Sequence, residues 1–139
     1  MRSDKPVLLV EDDQVDAMTV RRSLRDINVT NQLDIVGDGE EALAFLTDPQ
    51  NERPCIILLD LSMPRMNGIE FLRVAKQDED LKRIPVVMLT ASNEERDKVE
   101  CFRLGVAGYM VKPVDYQQFV EVVKTIDLYW TLSELPQGG

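Results

Sequence analysis

Three acids, Glu11, Asp12 and Asp13, follow directly on the apolar run Val7-Leu8-Leu9-Val10, and a fourth, Asp60, follows Cys55-Ile56-Ile57-Leu58-Leu59. Thr90 ends a third apolar run and Lys112 follows a fourth, Gly108 to Val111. Brought together, Glu11, Asp12 and Asp60 would repel one another strongly unless a cation neutralised them. An oxygen-only carboxylate cluster with access to water is what Mg²⁺ prefers, held by one or two direct carboxylates. Lys112 adds a compact positive charge suited to a phosphoryl oxygen, and Thr90 adds a hydroxyl donor. The set reads as a phosphoryl site with a carboxylate as acceptor. Metal and lysine offset the charge on the transferring group, while the protein positions it.

Composition narrows the alternatives. The chain has 139 residues, one domain by the usual size prior, with 44% hydrophobic and 29% charged residues, so it is an ordinary globular chain. It contains no histidine, which removes Ser-His-Asp and Cys-His catalysis, histidine-ligated zinc and a phosphohistidine carrier. Lys plus Arg is 16 against 25 for Asp plus Glu, a net charge of −9 that repels nucleic acid and anionic membrane surfaces. The polar start, Met1 to Pro6, shows no signal peptide, and no apolar run approaches the roughly 18 residues of a membrane span. The expected location is the cytoplasm. Cys55 and Cys101 lie in apolar segments far apart, as two buried thiols or as a disulfide.

The elements that must position these side chains alternate. Val7–Val10, Leu33–Val36, Cys55–Leu59, Ile84–Leu89 and Gly108–Val111 read as strands. Between them, Ala17, Val20, Leu24 and Ile27 mark one helix, Ala42, Leu43 and Leu46 a second, and Ile69, Leu72 and Ala75 a third. Ser92 or Asn93 is placed to cap a fourth helix, with Glu94 and Glu95 in its first turn. Asp115 is placed to cap a fifth, whose stripe of Phe119, Val122, Val123, Ile126 and Trp130 suits either core or an interface. Gly37-Asp38-Gly39 is a turn and lacks the glycine spacing of a phosphate-binding loop. Strands apolar on both faces and joined by helices predict an α/β fold with a parallel sheet and helices on both sides. In such sheets the site lies at the carboxyl ends of the strands, where Glu11, Asp12, Asp13, Asp60, Thr90 and Lys112 are expected to converge.

The segments Glu11-Asp12-Asp13, Leu-Leu-Asp60-Leu-Ser-Met-Pro-Arg-Met-Asn-Gly68, Leu-Thr90-Ala91-Ser92 and Gly-Tyr109-Met-Val-Lys112-Pro113 resemble the receiver domain of two-component response regulators, in order and over almost the whole chain. The resemblance implies the flavodoxin-like (βα)5 three-layer sandwich, with strand order 2-1-3-4-5, as a single receiver domain over 1–139 with a short tail over 131–139. It implies Asp60 as phosphoacceptor, with Mg²⁺ held by Asp12 and Asp60, by Glu11 through water and by the Ser62 backbone carbonyl. Lys112 would pair with the phosphoryl group, and the peptide before Pro113 would be cis. Thr90 would swing toward the phosphoryl group and Tyr109 turn inward behind it, as a switch. The segments Asn51-Glu52-Arg53-Pro54, Leu81 to Val87 and Tyr129-Trp130 through Leu135-Pro136 are similar to stand-alone regulators of bacterial phytochrome-type histidine kinases. That similarity implies such a kinase as partner and a homodimer through the face of the fourth helix, fifth strand and fifth helix.

Ser62 and Ser92, two residues beyond Asp60 and Thr90, flank the path of an attacking water in this family and leave it open. A turnover phosphatase using an aspartyl nucleophile needs a second acid where Ser62 stands, so the chain is expected not to be an enzyme in that sense. A constitutive, phosphate-independent scaffold is the remaining alternative. The tail after the last helix is too short for an output domain, so output is expected through contact with a partner unless the chain is an excised receiver.

Overall fold

A strand that is apolar at every position is stable only where both of its faces are covered. In the computed structural model, which describes residues 4–125, β1 (Val7–Val10), β3 (Ile56–Leu59) and β4 (Val86–Thr90) are buried throughout. β2 (Leu33–Val36) and β5 (Gly108–Val111) are partly exposed, because they form the two edges of one parallel sheet ordered β2-β1-β3-β4-β5. Helices α1 (Gln14–Asp26), α2 (Gly39–Thr47), α3 (Gly68–Gln77) and α4 (Glu95–Arg103) fill the crossovers, and a fifth helix, α5, starts at 116 and is described to 125. This is the flavodoxin-like arrangement expected from the motifs.

Alternation along the strands divides the core in two. Val7, Leu9, Ile56, Leu58, Val87, Leu89 and Met110 pack with Ala17, Val20 and Leu24 of α1 and with Phe119 and Val123 of α5. Leu8, Val10, Ile57, Leu59, Val86 and Met88 pack with Ala42 of α2, Phe71, Leu72 and Ala75 of α3, and Cys101 of α4. The Phe119–Val123 part of the apolar stripe is therefore core. Ile126, Tyr129, Trp130 and the tail over 131–139 lie outside the described residues.

Capping residues set where the helices begin. Asp13 accepts from the Asp16 amide at 2.9 Å, Asp38 accepts from the Glu41 amide at 2.9 Å, and Asn67 and Glu70 form a reciprocal capping box on α3. Asp115 accepts from the amides of Gln117 and Gln118 as expected. Three local expectations need correction. Neither Ser92 nor Asn93 caps α4; its cap position is Glu94, and the Ser92 hydroxyl donates instead to Asp97. The fourth strand starts at Val86 rather than Ile84, because Leu81–Arg83 forms a 3₁₀ turn that Ile84 closes, and it includes Thr90. Cys55 precedes β3 and is only half-buried, its thiol 3.6 Å from the Lys5 carbonyl, while Cys101 is a buried free thiol, so the two are not bridged to each other.

Gly68 is where the fold presses closest on the site. A Cβ there would lie 2.5 Å from the Asp60 carbonyl oxygen and 2.9 Å from the Leu61 Cα, and its amide donates to the Leu61 carbonyl at 2.9 Å. Both obstacles are backbone, so nothing can swing aside. Gly68→Ala is expected to lower the unfolding free energy by about 1–3 kcal/mol, the usual range for forced overpacking. Urea denaturation with an unchanged slope would report it, and a variant as stable as the parent would contradict the close approach.

Candidate functional site

Parallel register delivers the functional side chains to one edge of the sheet. Val10 and Leu59 sit side by side, so Glu11 and Asp60 leave the sheet as neighbours, and the Asp60 amide donates to the Val10 carbonyl at 3.0 Å. Thr90 pairs with Val111, and the Lys112 amide donates to the Thr90 carbonyl at 2.8 Å. The Lys112–Pro113 peptide bond is cis.

Among the described residues, the geometry is that of one cation among acids. Lys112 Nζ lies 2.5 Å from Glu11 Oε1, 2.9 Å from Asp16 Oδ2 and 3.4 Å from Asp60 Oδ2. Carboxylate oxygens of Glu11, Asp12 and Asp60 all lie within 4.8 Å of one another. Glu11 is 4% exposed and Asp60 8%, while Asp12 is exposed and opens the cluster to solvent. Glu11 Oε2 also accepts from the Asp13 amide at 3.2 Å, and the Ser62 amide donates to Asp60 Oδ1 at 3.3 Å.

One ammonium cannot satisfy this many carboxylates. Burial pushes the Glu11 carboxyl up from 4.5 to about 7; its hydrogen bond from Lys112 opposes the shift and the charge of Asp60 adds to it. Burial works against the charge on Lys112, but hydrogen bonds to Glu11 and Asp16 and the charge of Asp60 prevail and hold it above the ordinary lysine range. Excess negative charge, an oxygen-only donor set and an open side are the conditions a hard divalent cation meets best. The residues fit Mg²⁺.

Thr90 is fully buried, and its hydroxyl accepts from the Ser92 amide at 3.3 Å. Tyr109 packs against the core layer under α2, α3 and α4, and its hydroxyl donates to the Ser92 carbonyl at 3.0 Å. Burial raises the Tyr109 phenol above its ordinary range, keeping it a donor. Both residues thus hold the same segment after β4.

The sequence set and the structure differ at two acids. Asp13, third of the acidic triplet, turns away to cap α1. Asp16 is absent from the candidate set, yet among the described residues it is, with Glu11 and Asp60, an acid in contact with Lys112. Its only signal in the sequence is an acid three residues after the helix cap, where the helix dipole favours acids in any case.

Residues 7–124 match the family model described as the response regulator receiver domain. The chain is 38% identical over 130 residues to Response regulator Rcp1 of Synechocystis sp., covering 91% of this chain and 88% of that protein. The solved Mn²⁺-bound form of Rcp1 superposes with a TM-score of 0.74 at 38% identity, over 91% of this chain and 94% of that one. The bacteriophytochrome response regulator RtBRR gives a TM-score of 0.78 at 41% identity, over 88% of this chain and 77% of that one. The phosphorylated cyanobacterial phytochrome response regulator RcpA gives 0.76 at 36% identity, over 93% and 95%.

The raised Glu11 carboxyl predicts a pH dependence in chelator-treated protein. Below pH 4.5 Glu11 is protonated folded or unfolded; between 4.5 and about 7 the unfolded chain releases a proton that the folded one keeps. The Glu11 contribution to stability therefore falls as pH rises through that window and levels off above it. Lys112, shifted upward from 10.5, adds no slope there. Glu11→Gln is expected to flatten the decline in urea-unfolding free energy between those pH values, and parallel curves for variant and parent would contradict the assignment.

Proposed function

The chain belongs to the response regulator receiver family, and on that premise we propose that it is a phosphorylation switch with Asp60 as its acceptor. What supports this most is the placement of Lys112 Nζ 3.4 Å from Asp60 Oδ2 beside a carboxylate cluster open to solvent. An Asp60 oxygen attacks the phosphorus of a phosphodonor, forming the acyl phosphate while the bond to the donor's leaving atom breaks and that atom keeps the electron pair. Lys112 donates to a phosphoryl oxygen, and the hydroxyl of Thr90 donates to another. Asp12 and Asp60 would hold Mg²⁺ directly and Glu11 through water, and the Ser62 backbone carbonyl would complete the protein ligands. When bound, Mg²⁺ supplies the positive charge that lets an anionic acceptor meet an anionic donor.

Thr90 and Tyr109 share Ser92 as their hydrogen-bond partner, which supports their coupling in the switch. As Thr90 turns to the phosphoryl group it gives up the Ser92 amide, and the segment that Tyr109 holds is free to rearrange. The chain modifies itself and changes its contacts; it is not a turnover enzyme. Among the described residues, no helix is long and apolar enough to cross a membrane, and we place the protein in the cytoplasm, without a nucleic-acid partner. A histidine kinase is the phosphodonor, and the named phytochrome regulators among its relatives favour a phytochrome-type one. Exposed Val99 and Phe102 on α4 support a homodimer through the α4–β5–α5 face.

Intact mass after incubation with a small acyl phosphate tests the acceptor. The parent chain is expected to gain one phosphoryl group with Mg²⁺ and none with chelator, and Asp60→Asn none in either. Labelling of Asp60→Asn to the parent's level would place the acceptor elsewhere. An unlabelled parent, under conditions that label another receiver, would leave the phosphate-independent scaffold.

A further inference from the structure

We propose that Arg65 is a positioning residue: through Asp38 it clamps the loop that carries Ser62 onto the head of α2, and so sets how tightly the acidic cluster holds a divalent cation. The proposal rests on the acidic site being a Mg²⁺ site. Arg65 stands in the middle of the segment joining Asp60 to α3 and has a φ of 60°. Arginine is costly in the left-handed region, and such conformations persist where surrounding contacts over-determine them. Those contacts are on the other side of the segment. Arg65 Nε donates to Asp38 Oδ2 at 2.7 Å, Nη2 donates to the same oxygen, and Nη2 donates to Glu41 Oε2 at 3.0 Å.

Asp38 is suited to anchor this contact. It is 1% exposed, and its two oxygens are divided between tasks, Oδ1 capping α2 and Oδ2 receiving the guanidinium. The bond from the Glu41 amide, and then those from Arg65, keep its carboxyl below the ordinary range, so it stays an anion. The backbone repeats the tie beside it. The Gly39 amide donates to the Met66 carbonyl at 3.0 Å, and a Cβ on Gly39 would lie 2.6 Å from Met66 Cγ. The far end of the segment is closed by the Asn67–Glu70 box and by Gly68 against the Asp60 backbone. The far end is thus fixed by backbone packing, and the middle is held by the Arg65 side chain together with the Gly39–Met66 backbone bond. That side chain is largely exposed, where ion pairs add little to global stability. Its consequence falls on the placement of the segment.

Three variants of the full chain separate the possibilities: Arg65→Gly, Arg65→Lys and Asp38→Asn. Glycine removes the clamp and relieves the positive φ at once, so the melting temperature is expected to stay near the parent's. Mg²⁺ affinity, measured by competition with Mn²⁺, is expected to fall roughly tenfold, the low end of what outer partners of metal ligands contribute. Amide exchange is expected to quicken across 61–67 in the metal-free protein. Arg65→Lys keeps a cation and is expected to recover part of the affinity, while Asp38→Asn loses it as Arg65→Gly does. Parent-like Mg²⁺ affinity in Arg65→Gly would overturn the clamp while leaving the acidic site intact. A parallel loss of melting temperature and affinity, with exchange raised along the whole chain, would mark Arg65 as merely structural and overturn it too. A parent chain that binds no Mg²⁺ would overturn the site assignment and the clamp together.

Discussion

A single ammonium faces more carboxylates than it can neutralise, and the rest of the site follows from that imbalance. Lys112 is in contact with Glu11, Asp16 and Asp60, and Asp12 stands beside them at the solvent edge. Repulsion of this kind costs stability unless it is relieved by a proton, a cation or both. The Glu11 carboxyl shows the proton route, pushed to about 7 first by its burial, with the charge of Asp60 adding to the shift. A divalent cation would be the other route, and on the proposed reading it would leave the Asp60 carboxylate ionised.

The sheet holds these charges where they would not stay unaided. Glu11 and Asp60 follow residues paired in register on adjacent central strands, both buried on two faces, so neither strand can shift to separate them. Loops between strand and helix do the finer placement. Gly68 brings α3 against the Asp60 backbone, and Arg65 with Asp38 ties the same loop to α2. On the other flank, Ser92 joins Thr90 to Tyr109 through its amide and carbonyl. The first flank is held by close backbone packing and by the Arg65–Asp38 pair. The second is held by two hydrogen bonds, one to the Thr90 hydroxyl and one from the Tyr109 hydroxyl.

Much of this was legible in the residues because it depends on pattern. Runs such as Val7–Val10 and Ile56–Leu59 have one stable solution, a strand covered on both faces, and the acids at their carboxyl ends then converge by topology. What could not be read depends on rotation and competition. Asp13 and Asp16 are both acids at the start of α1, and only the turn of the helix decides that one caps it and the other reaches Lys112. Ser92 is a good cap by type, yet its hydroxyl is taken by Asp97, which leaves the cap position to Glu94. Ile84 continues an apolar run, but the 3₁₀ turn before it and Pro85 after it delay the strand to Val86. In Gly37-Asp38-Gly39 the glycines signal a turn, while the buried aspartate between them caps α2 and anchors Arg65.

Excess negative charge around Lys112 is proposed to make the strand ends a cation site. Titrating the metal-free, ¹⁵N-labelled chain with Mg²⁺ and following its amide resonances tests this most directly. Saturable shifts concentrated at residues 11–13, 60–62 and 112 are expected, and their loss in Asp12→Ala. Resonances that stay unmoved at millimolar Mg²⁺, or that drift together without saturation, would contradict it.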